Sequence, residues 1–277
     1  MKIDKVFVFG AAKDMPTLYF SLPSILKNIS ASSYFLVCDE LDVKKFQIFK
    51  KLNFSIISDQ SIMGENFRYL NIRNKKLYSW YKQQVVKLLL CNQQKPNDII
   101  LLWDGDTVPL KRLDFFKYNK INVRLSDEHH PIYFISILQV LNLRKNIPKS
   151  FISQCFLLKA SWSQLMCKAI EKNMGENFVS VISNLANSTK LQCFSEYECL
   201  GTYINKYFFY EINIIEREWL RYGNSVLNNP DKISKFKNHL NYEYVSFEVW
   251  DNAPIKSFLH RFFYFILSFF SSMVSAK

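Results

Sequence analysis

The sequence contains few of the residues that interrupt regular structure. Its 277 residues include only 6 glycines and 8 prolines, which excludes a collagen-like chain and a Pro/Gly-rich disordered chain. Charged residues make up only 22%, which argues against a coiled coil and against a disordered acidic tail. Apolar residues make up 49%, enough for a buried core in one large domain or two small ones.

Cysteine pairs and histidines are also scarce. The chain has 6 cysteines, none in a CxxC pair, and only 4 histidines, which argues against a zinc site. We therefore predict reduced and mostly buried thiols. No apolar signal-peptide segment follows Met1, so we expect the protein to stay in the cytoplasm.

The sequence has fewer acidic residues than basic ones. There are 24 Asp and Glu residues and 36 Lys and Arg residues, so the formal net charge is +12. A balance of this size favours an anionic partner: nucleic acid, an anionic lipid or a phosphorylated substrate. The sequence shows no nucleic-acid-binding motif, and its aromatic residues fall mostly within apolar runs. We therefore predict no nucleic-acid partner.

The first hundred residues alternate between apolar strand patterns and helical periodicity, which predicts an α/β fold with a mostly parallel sheet flanked by helices. The predicted strands are Val6–Phe9, Tyr34–Cys38, Phe54–Ile57 and Ile99–Trp103, the last one interior and parallel, and the predicted helices are Pro16 to about Asn28, Phe46–Leu52 and Leu77–Cys91. Further along we predict strands at Ile121–Leu125, Phe151–Leu158 and Phe208–Ile215, a helix from a Ser161–Gln164 capping box to about Lys172, and a polar loop over 219–241.

Two carboxylates, Asp104 and Asp106, follow the most apolar predicted strand. Ligands bind at the carboxyl ends of the strands in open α/β sheets. Gly105 allows both side chains to approach one point, and a hard divalent cation would relieve their repulsion. An Asp-Gly-Asp turn without function is the alternative structural interpretation.

Two chemistries use such a pair. The segment Asp104–Val108 fits the DxDx[TV] pattern of haloacid-dehalogenase-type phosphatases, in which the first Asp is a nucleophile and the second a general acid. That motif normally ends the first strand, whereas three predicted strands precede it here. The second chemistry is glycosyl transfer on a GT-A fold, where a DxD pair holds the metal bound to the donor diphosphate.

Three motifs in one order make the chain resemble the DUF6492-type proteins, a bacterial group of GT-A-like glycosyltransferases. They are WYxQQxxKL from Trp80 to Leu88, WDxDTVP from Trp103 to Pro109, and SEYExxG from Ser195 to Gly201. The resemblance covers roughly residues 1–245. It implies a GT-A-like fold, a nucleotide-diphosphate sugar as donor (UDP-linked in our expectation), Mn²⁺ or Mg²⁺, and a bacterial surface glycan as acceptor: lipopolysaccharide, O-antigen or capsule. We expect transfer of the hexosyltransferase type.

The resemblance also implies roles for single residues. Asp106 would bind the metal directly, and Asp104 would contact the metal through water or bind the donor ribose. A late histidine often completes such a site, which makes His239 a candidate ligand. Position alone adds four donor-binding candidates: Asp14 and Asp39, each just past an early strand, and Gln84 and Lys87 on the predicted helix. Caps, turns or a polar helix face explain these four equally well.

An inverting transfer needs a carboxylate that takes the proton of the acceptor hydroxyl. Glu196 and Glu198 are the candidates, with Asp127 and Glu128 as outside possibilities. Ser195 and Glu198 have capping-box spacing, so Glu198 has a structural explanation. We expect Glu196 to have none, and therefore favour it as the general base of an inverting reaction.

The last residues are aromatic and apolar. Between Arg261 and Lys277 lie fifteen residues, roughly 22 Å as a helix, short of the roughly 30 Å hydrocarbon core. We predict a glycosyltransferase domain over 1–250 and a tail over 251–277 whose residues 255–277 bind the membrane surface. The protein would then be peripheral on the cytosolic face of the inner membrane. A helix packed on the core is the alternative.

Overall fold

The computed structural model describes residues 1–189, 191–216, 218–233, 241–248 and 251. The strands are β1 (Ile3–Phe9), β2 (Ala31–Cys38), β3 (Ser55–Ser58), β4 (Ile99–Asp104), β5 (Thr107–Pro109), β6 (Phe116–Lys117), β7 (Lys120–Arg124), β8 (Cys155–Lys159), β9 (Ile212–Ile215) and β10 (Tyr244–Ser246). The helices are α1 (Met15–Asn28), α2 (Val43–Phe46), α3 (Asp59–Met63), α4 (Lys75–Asn92), α5 (Pro131–Leu141), α6 (Ala160–Met174), α7 (Phe178–Ser188), α8 (Glu196–Tyr207) and α9 (Gly223–Leu227).

The residues form two compact units, the first of which comprises 1–9, 31–103 and 115–216. Its sheet has the strand order β3-β2-β1-β4-β8, with β1, β2 and β3 paired in parallel. The five residues Ile99–Trp103 are all buried, as expected for an interior strand. Helix α4 packs against α6, α7 and α8, which form a helical layer of this unit. A separate three-stranded sheet has the order β6-β7-β9.

The second unit comprises 10–30, 104–114 and the described residues of 217–277. Strands β5 and β10 pair antiparallel, with Thr107 opposite Ser246. Helix α1 lies against β5, and the Ser21 hydroxyl donates to the Thr107 carbonyl at 2.6 Å. A small apolar core holds the unit together and consists of Val108, Leu220, Leu227, Ile233, Val245 and Phe247.

The prediction of an α/β fold with a mainly parallel sheet is confirmed, and so are the first three strands, α1 and α4. All 6 cysteines are free and buried, as predicted. The parallel assignment of β4 needs one correction, because its neighbour β8 runs antiparallel to it. The helix predicted over 46–52 is the last residue of α2 followed by a 3₁₀-helix, Gln47–Leu52, which is capped by Asn53 with a positive φ of 62°.

Three predictions for the later part of the chain are wrong. Strand β8 starts at Cys155 rather than Phe151, because Gln154 takes a left-handed conformation with φ 61°. The predicted capping box at Ser161 is absent from α6, which begins at Ala160, and the Gln164 side chain instead donates to the Gln94 carbonyl. The polar loop predicted over 219–241 contains α9.

The predicted division at residue 250 stays a prediction, because all of the tail except Asp251 lies outside the described residues, and so do residues 255–277. In the part of the chain that the structure describes, no helix is both long enough and apolar enough to cross a membrane.

Candidate functional site

The DxD pair lies in the second unit, at the carboxyl end of the apolar strand β4. Asp104 is the last residue of β4, and Asp106 precedes β5. The Phe247 amide donates to the Asp106 carbonyl at 2.8 Å, which extends the pairing of β5 with β10 and brings Glu248 close to Asp106. Sequence reasoning missed Glu248, because only strand pairing joins it to the motif.

Four carboxylates share this region of the second unit. Burial first, and then the charges of Glu248, Asp104 and Asp14, raise the pKa of Asp106 well above its usual value; the Thr107 hydroxyl opposes this shift. Burial also raises the pKa of Asp14, with Asp104 adding to the effect. We call this group the acidic cluster: Asp14, Asp104, Asp106 and Glu248. Glu248 is paired with Arg221 at 3.2 Å, which offsets part of its negative charge.

The oxygen donors of the acidic cluster fit a hard cation by charge and chemistry. Among the described residues, however, no three His, Cys, Asp or Glu side chains are arranged to hold one metal ion. Mg²⁺ is commonly bound through one or two carboxylates, with waters and substrate phosphates as the other ligands. Asp104 and Asp106 can supply such a pair, whereas His239 lies outside the described residues.

The two early aspartates occupy structural positions. Asp14 accepts a hydrogen bond from the Ala11 amide at 2.8 Å, within the second unit. In the first unit, Asp39 caps a 3₁₀ turn through the Leu41 amide at 3.0 Å and accepts from Lys82 at 2.6 Å. Lys82 also pairs with Asp59 at 2.6 Å. Because the Lys82 ammonium donates to it, the pKa of Asp39 is lowered.

Two of the three sequence motifs meet inside the first unit. Lys87 of WYxQQxxKL lies 2.7 Å from the Glu196 carboxylate of SEYExxG and 3.1 Å from the Tyr197 hydroxyl. Gln84 accepts from the Glu196 amide at 2.9 Å through its side-chain oxygen. The side chains of Lys87 and Glu196 are 3% and 2% exposed, so this is a buried ion pair.

Glu198 is buried in a second polar group. Its carboxylate accepts from Lys145, from the Ser150 hydroxyl and, at 3.1 Å, from the Phe151 amide. The Ser195 hydroxyl accepts from the Glu198 amide at 3.3 Å and so caps α8. The Glu198 carboxylate therefore ties the start of α8 to the segment that precedes β8.

Close packing explains why the last position of SEYExxG, residue 201, is a glycine. A Cβ at Gly201 would lie 2.0 Å from Cγ of Phe151, far inside van der Waals contact. Phe151 is fully buried, so helix α8 approaches it closely only because residue 201 has no side chain.

The expectation that Glu196 has no structural partner is wrong, because Lys87 and Gln84 both bind it. Its role as general base, and that of Glu198, stays a prediction. Of the outside candidates, Asp127 pairs with Lys149 at 2.9 Å, and Glu128 lies 2.8 Å from the His130 ring.

Comparison with known proteins identifies the family. The model of DUF6492, a family of unknown function, matches residues 9–269, which is most of the chain. The protein belongs to the DUF6492 family. No curated protein shows significant similarity to this DUF6492 protein.

Three solved structures are similar to the DUF6492 protein. Mouse xyloside xylosyltransferase 1 (apo form) is 11% identical with a TM-score of 0.48, and the match covers 92% of this chain and 100% of that one. The bifunctional glycosyltransferase WbbM (apo) is 12% identical with a TM-score of 0.47 over 89% and 46%. The glycosyltransferase GlyE of Streptococcus pneumoniae TIGR4 (apo) is 10% identical with a TM-score of 0.39 over 89% and 55%. The chain thus spans about half the length of the latter two.

Proposed function

We propose that this DUF6492 protein is a metal-dependent glycosyltransferase with a GT-A-like fold that uses a nucleotide-diphosphate sugar, UDP-linked in our expectation. The observation that carries this proposal is the acidic cluster after β4, where Glu248 is brought to Asp106 by the extended β5–β10 pairing. A divalent cation would offset the negative charge of this cluster, and its free coordination positions could bind the oxygens of a diphosphate.

In this proposal Asp106 binds Mn²⁺ or Mg²⁺, and Asp104 contacts the ion through water or binds the donor ribose. The ion would offset the negative charge that develops on the leaving nucleoside diphosphate. Asp14 holds its carboxylate beside Asp104, so we also propose it as a donor contact. We also propose Asp39, Gln84 and Lys87 as contacts to the donor, and His239 as a ligand of the metal ion.

The acceptor in the proposal is a bacterial surface glycan, presented as lipopolysaccharide, O-antigen or capsule precursor at the cytosolic face of the inner membrane. Transfer is of the hexosyltransferase type and inverts configuration, with Glu196 or Glu198 as general base. The support is the resemblance of the three motifs and the net charge of +12, which suits an anionic membrane surface.

Thermal unfolding with UDP tests this function. We expect Mn²⁺ and UDP together to raise the Tm of the wild type more than either does alone. Asp104→Asn and Asp106→Asn should lose this increment, while Asp127→Asn, which removes an exposed carboxylate elsewhere, should keep it. Donor hydrolysis measured with a panel of nucleotide sugars then identifies the sugar that the protein transfers.

The phosphatase alternative has its own support, because the sequence Asp104–Val108 fits the DxDx[TV] pattern. In a phosphatase Asp104 would attack the phosphorus atom, so p-nitrophenyl phosphate would be hydrolysed and Asp104→Asn would abolish hydrolysis. Release of p-nitrophenol without any UDP-dependent stabilisation would overturn the glycosyltransferase assignment.

A further inference from the structure

A cavity of about 240 Å³ lies in the first unit beside helix α8, and neither Glu196 nor Glu198 lines it. It is lined by the segment that follows α5 and by the C-terminal half of α8: Asn142, Leu143, Arg144, Asn146, Thr202 and Lys206. The lining has two cationic groups, two amides and one hydroxyl beside an apolar side chain. None of the functional roles considered so far uses these residues.

Thr202 gives the strongest indication that the cavity holds a ligand. The residue is only 2% exposed, yet its hydroxyl has no hydrogen-bond partner within the described structure. A buried hydroxyl without a partner is unfavourable, because nothing compensates for the water that it lost on folding. Because Thr202 lines the cavity, a rotation about its χ1 angle would bring the hydroxyl to a ligand there and supply the missing hydrogen bond.

The cavity has a positive lining. Neither Arg144 nor Lys206 forms an ion pair with a carboxylate of the described residues, and both are exposed. Lys206 follows Thr202 by four residues on α8, so the two share one face of the helix. Glu198, one turn earlier, is neutralised by Lys145 and therefore does not offset this charge.

The amides add hydrogen-bonding groups in fixed positions. Asn205 donates to the Asn146 side-chain oxygen at 2.8 Å, which leaves the amide hydrogens of Asn146 as donors. Asn142 ends α5 in the left-handed conformation, with φ 53°. Leu143 adds an apolar surface. Amides and a hydroxyl around an apolar wall suit a polyhydroxylated ring, and the cations suit an acidic substituent on it.

We propose that this cavity is a binding site for an acidic sugar, a hexose phosphate or a uronate, with Arg144 and Lys206 on the anionic group and Thr202 on a ring hydroxyl. Binding itself does not depend on the glycosyltransferase assignment. The role of the bound sugar as part of the acceptor glycan does rest on the proposed function.

Calorimetric titration of the full chain tests the site, with glucose 6-phosphate, glucuronate and uncharged glucose as probes at constant ionic strength. We expect saturable binding of the two acidic sugars and much weaker binding of glucose. Arg144→Gln and Lys206→Gln should each weaken acidic-sugar binding about tenfold, the effect of one charged hydrogen bond. Lys44→Gln removes an exposed positive charge on α2 and should leave binding unchanged.

Thr202→Val separates a binding role from a structural one. It keeps the shape of the side chain and removes only the hydroxyl, so we expect weaker sugar binding with an unchanged or higher Tm. Equal binding by the wild type and the Arg144 and Lys206 variants would overturn the proposal. So would a result in which these variants change only binding to phosphatidylglycerol vesicles, because the site would then recognise a lipid headgroup.

The binding readout is independent of transfer. If the acidic sugars bind as expected but UDP and Mn²⁺ do not stabilise the protein, the proposed function fails and the site stands. If transfer is found and acidic sugars do not bind, the site fails and the proposed function stands.

Discussion

The Lys87 ammonium lies 2.7 Å from the Glu196 carboxylate, and both side chains are almost completely buried. This pair joins helix α4 to the first turn of α8 and so connects two sequence motifs that are far apart along the chain. Removing one partner of a buried ion pair leaves an uncompensated charge, whereas replacing both with apolar residues often restores stability.

For Glu196→Gln we expect the free energy of unfolding to fall by about 3–5 kcal/mol, because the Lys87 ammonium loses its counter-charge. The double variant Lys87→Met, Glu196→Leu should recover most of this loss. Urea unfolding followed by circular dichroism measures both changes. If the free energy of unfolding of the double variant is as low as that of Glu196→Gln, the instability does not come from the uncompensated charge of Lys87.

The same variants test the predicted general base. If Glu196 accepts the acceptor proton, Glu196→Gln should abolish transfer while UDP and Mn²⁺ still raise the Tm of this variant. Transfer by the double variant at a rate close to that of the wild type would remove Glu196 from the mechanism and leave it a purely structural role.

Gly201→Ala should destabilise the protein by at least about 2 kcal/mol, because overpacking a rigid core forces side chains or backbone to move. The added Cβ would meet Phe151, which is itself fully buried. Phe151→Leu in the same chain should relieve part of the loss, and thermal unfolding of the single and double variants measures it. Strictly additive effects of the two substitutions would contradict a direct clash.

Asp106 should make the stability of the metal-free protein fall as the pH rises. Its pKa is raised in the folded state by burial and by neighbouring negative charges, so the folded protein keeps a proton that the unfolded chain loses above a pKa of 3.8. Unfolding then releases a proton, and the free energy of unfolding decreases between this value and the raised pKa.

Asp106→Asn should flatten this pH dependence and raise the free energy of unfolding at neutral pH by about 1–3 kcal/mol, since a buried unfavourable group is relieved. Urea unfolding between pH 4.5 and 8 with a chelator measures the difference, with Asp127→Asn as control. A slope with pH that is the same in Asp106→Asn and in the wild type would show that another group is responsible.

Lys82 should be needed to hold Asp39 and Asp59 together, since it lies 2.6 Å from each carboxylate. In Lys82→Met the pKa of Asp39 should return towards its usual value, because the donation that lowers it is lost. Stability should fall by about 2 kcal/mol, and Asp59→Asn in the same chain should restore part of it. Titration of the carboxyl groups by NMR and urea unfolding provide the two measurements.

The amino-acid sequence by itself determined the alternation of strands and helices in the first hundred residues and the position of Asp104 and Asp106 at the end of an apolar strand. These features are local, since a run such as Ile99–Trp103 and the periodicity of α4 are visible within a few residues. Buried cysteines follow equally from composition.

Only the tertiary structure decided which distant residues meet. Glu248 reaches Asp106 through the extended pairing of β5 with β10, and Glu196 meets Lys87 because α8 packs on α4. Neither contact leaves a local pattern, because long-range strand pairing and helix packing depend on the whole chain. For the same reason the sequence predicts no structural partner for Glu196, although the tertiary structure makes it one half of a buried ion pair.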